Sequence, residues 1–105
     1  MAKGLIQSYS VSHKLNQLKN LTIQTFTGTR TAFLTLWFDK LRDMNVAADP
    51  EDVLPFVMAT SILLDAVESD HALLRVFDEV HTTGNKQTDF EILSRAINRR
   101  ALSAD

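Results

Sequence analysis

The stretch from Phe56 to Val67 constrains this chain more than any other, because nine of its twelve residues are apolar. Its polar positions are ordered. Ser61, Asp65 and then Glu68 fall at i, i+4 and i+7, a narrow polar stripe along an otherwise apolar cylinder. A helix apolar nearly all round has to be enclosed by other elements. The stretch is therefore expected as a central helix over 53–68, with Leu64 fully buried. Its length, and Asp65 near its middle, exclude a bilayer span.

The rest of the chain has to supply that enclosure. A length of 105 residues implies one domain, 1–105, with residues 1–11 as an arm. A chain of this size buries roughly two thirds of its unfolded surface, enough for a modest core. The 45% apolar and 23% charged content is that of a globular protein. A net charge of −2, with both signs interspersed, argues against a chain built mainly to grip phosphate backbones. The absence of cysteine excludes a disulfide framework, a thiolate metal site and a cysteine nucleophile. The first residues, Met-Ala-Lys-Gly-Leu-Ile-Gln-Ser, lack the continuous apolar run of a secretory signal, so a cytoplasmic location is expected.

Taken in order, Leu5 to Val11 half-alternates and reads as a short strand or as an arm that docks on a neighbour. Ser12 opens a helix over about 12–27, although Leu21 to Thr27 is rich enough in β-branched residues to compete as a strand. Gly28 breaks the chain and Thr29 caps a second helix, about 30–45, whose wide apolar face carries Leu34, Trp37, Phe38, Leu41 and Met44. Asp49-Pro50-Glu51-Asp52 suits a helix start, and Pro55 has to lie in the first turn of the central helix or at a kink. Ser69-Asp70 caps a fourth helix, about 71–82, with Arg75 and Glu79 as an outward pair. Gly84 terminates, and Thr88 with Glu91 forms a capping box for a fifth helix, about 89–102. The fold class is all-α, a compact single-domain bundle of about five short helices.

Candidate chemistry is sparse. Glu68/His71 and Asp78/His81 are carboxylate–imidazole pairs at the spacing that ligates metals in helical bundles. Glu68 and His71 straddle the break at Ser69-Asp70, however, and His81 suits a helix end on dipole grounds alone. No metal or other cofactor is expected. No serine sits on a nucleophile elbow and no glycine-rich loop follows a strand, so the chain is read as non-enzymatic. The last helix offers Arg95, Asn98, Arg99 and Arg100, a set that can read base edges from a helix-turn-helix outline. Against it stand the long 82–87 loop, a Glu91–Arg95 pair that accounts for one arginine, and the acidic balance.

The aromatic helix carries more apolar surface than one stripe can bury. Phe33, Leu34, Leu36, Trp37, Phe38 and Leu41 span far more than the usual arc of about 100°. This surplus points to a protein partner or a second copy. The chain reads as a helical protein–protein interaction module, a small adaptor, assembly chaperone or regulator, and as a homodimer. Trp37, Phe38, Leu41, Leu5, Ile6 and Tyr9 are the expected partner-binding residues. The alternative is a nucleic-acid-binding regulator using the last helix, and the third reading is a metal-binding bundle.

Overall fold

The computed structural model describes residues 13–50 and 53–105. Among these the architecture is all-α and contains no strand. The helices are α1 (13–20), α2 (Arg30–Ala47), α3 (Phe56–Val67), the short α4 (His71–Leu74) and α5 (Val76–Glu79), and α6 (Lys86–Ala104). The expected arm, with Leu5, Ile6 and Tyr9, lies outside the described residues.

The region read as helix or strand over 21–27 is neither. The amide of Leu21 donates to the Leu18 carbonyl, and a single 3-10 turn follows at Ile23–Thr25. The threonine hydroxyls compete for the backbone here: Thr25 Oγ1 donates to the Thr22 carbonyl at 3.2 Å, an alternative to continued α-helix. Gly28 then turns the chain at φ +148°, and Thr29 caps α2 by accepting the amide of Ala32 at 3.1 Å.

Helix α3 starts later than expected, at Phe56, with Pro55 in the cap position and outside the helix. No hydrogen bond or kink is therefore lost to the proline ring. The loop that delivers it is held from α2, where Asn45 Oδ1 accepts the amide of Leu54 at 3.0 Å. The expected 71–82 helix is two single turns meeting at Arg75, and it stops at Glu79. The last helix begins three residues before the expected start. Asn85, not Thr88, is its cap, and Thr88 donates its amide to Asn85 Oδ1 at 3.0 Å. Asparagine accepts through a short, well-aimed side-chain oxygen, and ranks at or above threonine for this task.

The core is shared between α2, α3, α4 and α6. Its largest members are Trp37 and Phe33, both fully buried, joined by Leu18, Leu34, Met44, Leu63, Leu73 and Ile97. Aromatic contacts run outward from this centre, the first two edge-to-face and the last tilted. Trp37 meets Phe38 at 5.1 Å between ring centroids, Phe38 meets Phe90 at 6.2 Å, and Phe90 meets Phe56 at 5.5 Å.

Two expectations are reversed here. The aromatic helix has no surface surplus at Trp37 (0% exposed) or Leu41 (7%), because both lie in the core that α2 shares with α6 and its neighbours. The central helix, in contrast, is not enclosed, and Leu64 stands 36% exposed. Trp37 carries its own cost, since its indole Nε1 is buried with no hydrogen-bond partner. An unsatisfied donor costs about 1–3 kcal/mol. Burying an aromatic ring of 150–250 Å² at about 25 cal/mol per Å² returns roughly 4–6 kcal/mol, so packing wins.

Candidate docking surface

The inner face of α3 buries Ala59, Ile62, Leu63, Ala66 and Val67. The remaining apolar residues point outward: Phe56 is 38% exposed, Val57 53% and Met58 45%, with Leu64 as above. Phe56, Val57 and Leu64 form one wall and the floor of an open groove of about 310 Å³ whose second wall is the first turn of α6, Lys86 and Asp89. Thr60 and Ser61 lie between Phe56 and Leu64 and keep the groove shallow. Phe90 supports Phe56 from beneath, so the groove rests on the aromatic chain that begins at Trp37.

The polar walls are fixed rather than free to react. Asp89 accepts the amide of Thr83 at 2.6 Å and its hydroxyl at 2.8 Å. These bonds, the backbone amide first, hold the Asp89 carboxyl below its ordinary range, and Lys86 lowers it further. Lys86 itself enters none of the ion pairs among the described residues. Such a groove can take up an apolar side chain or helix face and can read one charge at its edge. It offers no convergent set of catalytic groups.

The other candidate residues are distributed differently. Trp37 and Leu41 belong to the interior, and Phe38 is half-buried against Trp37 and Phe90, so this trio presents no docking face in the described chain. On α6, Arg95 and Arg99 are exposed and enter no ion pair among the described residues. The expected Glu91–Arg95 pair is absent, and Glu91 accepts from Gln87 Nε2 instead. Asn98 donates back to the Ser94 carbonyl at 2.7 Å. Arg100 donates to the Ala72 carbonyl at 3.1 Å and pairs with Glu79, which replaces the expected Arg75–Glu79 pair. Half of the base-reading set is thus occupied in holding the fold. Glu68, His71, Asp78 and His81 are all exposed, and His81 lies beyond the end of α5, off any shared helical face. No group of three metal-ligating side chains converges among the described residues.

The residues missed by sequence reasoning are Phe56, Val57, Met58 and Leu64. A signal for them existed: the Ser61–Asp65–Glu68 stripe marks the side of α3 that meets water, and Val57 and Leu64 flank it.

The fold and the groove define an all-α domain with one outward apolar helix face. Comparison of the chain with protein-family models, with curated proteins and with solved structures returns no match. No described helix is long and apolar enough to cross a membrane.

Proposed function

We propose that the protein is a non-enzymatic helical interaction module that docks on a protein partner through the outer face of α3. The observation that carries this reading is the outward exposure of Phe56, Val57 and Leu64 together along one groove, on a helix whose other face is part of the core. Scattered apolar side chains need no explanation, whereas a contiguous set beside a groove marks a binding surface. An adaptor, assembly chaperone or regulator acting in the cytoplasm fits such a surface. Of the residues in the nucleic-acid alternative, Arg95 and Arg99 stay outside the ion pairs among the described residues, whereas Asn98 and Arg100 bond within the fold.

The test is site-specific cross-linking in the native cell. A photoreactive residue at position 57 should yield discrete protein adducts that a Leu64→Asp change removes. The same probe at position 95 should yield none. Nucleic-acid adducts from position 95, with nothing captured at 57, would replace this reading by the alternative.

A further inference from the structure

We infer that the outer face of α3 pairs with the same face of a second copy of the chain, with the two helices antiparallel about a two-fold axis beside Thr60 and Ser61. This inference rests on the docking reading above and names its occupant.

The argument starts from spacing. Val57, Ser61, Leu64 and Glu68 follow at intervals of four, three and four, the seam that lets one helix lie along another. Val57 and Leu64 are exposed along that seam. Ser61, between them, is small enough for close backbone approach. The midpoint of Val57 and Leu64 falls between Thr60 and Ser61. A two-fold axis there places Val57 over Leu64 of the other copy, twice, so one patch covers itself.

Charge then selects the direction. Helices α3 and α6 run the same way: Phe56 meets Phe90 near their starts, and Arg100 reaches Ala72 beyond the end of α3. Lys86, one turn before Phe90, is therefore at the N-terminal end of the groove. That end also holds the positive pole of α3, whose cap Pro55 supplies no side-chain acceptor. The opposite end carries Asp65 and Glu68, both exposed and neither in an ion pair among the described residues. Antiparallel pairing sets the acids of each copy against Lys86 and the open helix start of the other. Parallel pairing sets acid against acid. Asp89 stands on the same wall as Lys86, but its carboxylate is held by the amide and hydroxyl of Thr83, so the antiparallel arrangement is the more complementary of the two.

A contact centred on one helix and the rim of another is at the small end of specific interfaces, so exchange between monomer and dimer at micromolar concentrations and above is expected. Because the chain has no cysteine, single cysteines report the geometry directly. Ser61→Cys, beside the axis, should oxidise to a disulfide-linked dimer. Glu68→Cys should not, since the two copies of position 68 lie about 22 Å apart along the seam and a disulfide requires Cα atoms within roughly 7 Å. In sedimentation, Val57→Asp should abolish the dimer. Lys86→Glu should weaken it about three- to fivefold, and Lys86→Glu with Glu68→Lys should recover it.

Cross-linking at both 61 and 68 would overturn the antiparallel arrangement. A Glu68→Lys change that tightens the dimer would do the same. A monomer at every concentration, with Val57 still cross-linking to another protein in the cell, would overturn self-pairing while leaving the docking reading in place. A monomer whose residue 57 captures nothing would remove both.

Discussion

The guanidinium Nε of Arg30 meets Asp70 Oδ2 at 2.6 Å, and the other oxygen of the same carboxylate accepts the amides of Ala72 and Leu73 at 3.1 and 3.3 Å. One aspartate thus caps α4 and ties it to the start of α2. Arg30 completes the junction by donating from Nη1 to the Ala104 carbonyl at 3.0 Å. Three helices meet at two side chains forty positions apart.

Asp70→Ala removes the cap and leaves a partly covered arginine without its anion. The expected cost is roughly 2–3 kcal/mol, from about 1 for the cap and 1.5 or more for the charge-assisted bond. Asp70→Asn keeps a good cap acceptor and should cost clearly less. Equal denaturation midpoints for the two variants would show that the ion pair contributes nothing.

Leu63→Ala and Leu64→Ala separate the two faces of α3. Leu63 is 0% exposed, and its truncation should destabilise by roughly 2–5 kcal/mol through lost transfer energy and a residual cavity. Leu64→Ala, on the outer face, should cost under about 1 kcal/mol in the isolated chain. Urea denaturation of both variants checks this, and a larger loss for Leu64 would place that face inside.

Asn85→Ala should cost about 1 kcal/mol, and speed amide exchange at Thr88, because it removes the acceptor that starts α6. Thr88→Ala should be nearly neutral. The reverse order would move the start of the helix to residue 88.

Gly28→Ala and Gly84→Ala differ in what an added methyl meets. Both glycines have positive φ, +148° and +93°, where a side chain is strained by about 1–3 kcal/mol. At Gly28 the new Cβ would also stand 2.8 Å from the Phe26 ring, which packs on Phe33. At Gly84 it would meet nothing within 4 Å. Thermal unfolding should show the larger loss for Gly28→Ala.

Acid should loosen the two turns held by aspartates. Asp89 is lowered by the amide and hydroxyl of Thr83. Asp105 is lowered by the Thr31 hydroxyl and by the amides of Thr31 and Arg30 at the start of α2. A carboxyl with a lowered folded pKa contributes stability above its unfolded value, and that contribution is lost as pH falls from about 4 toward the folded value. Midpoint temperature should therefore fall through this window, and less steeply in Asp89→Asn. An unchanged slope in that variant would assign the acid sensitivity elsewhere.

Much of the helix punctuation was legible because it is local. Thr29 and Asp70 cap where their side chains can reach amides two or three residues ahead, and Gly28 turns where only glycine is unstrained. The all-α character follows from apolar spacing in the same way. Local rules misplaced competing starts, Thr88 against Asn85 and Val53 against Phe56, where neighbouring residues offer similar chemistry, and ran two helices too far, past residue 20 to 27 and past Glu79 to 82.

Only the tertiary structure decided which apolar face went inside. Periodicity put α3 at the centre and an outward surplus on α2, and the reversal turned on what the other helices cover. Trp37 and Leu41 lie inside the core cluster, while nothing in the described chain closes over Val57 and Leu64. The long-range ties were equally hidden: Arg30 with Asp70, Arg100 with Glu79, and the Asp105 carboxylate at the start of α2. Each joins residues at least twenty-one positions apart. Local spacing had paired Glu79 with Arg75 and Arg95 with Glu91. A partner four residues away is always within reach on a helix, but a charged side chain settles where packing has already removed water, and that place exists only once the chain has folded.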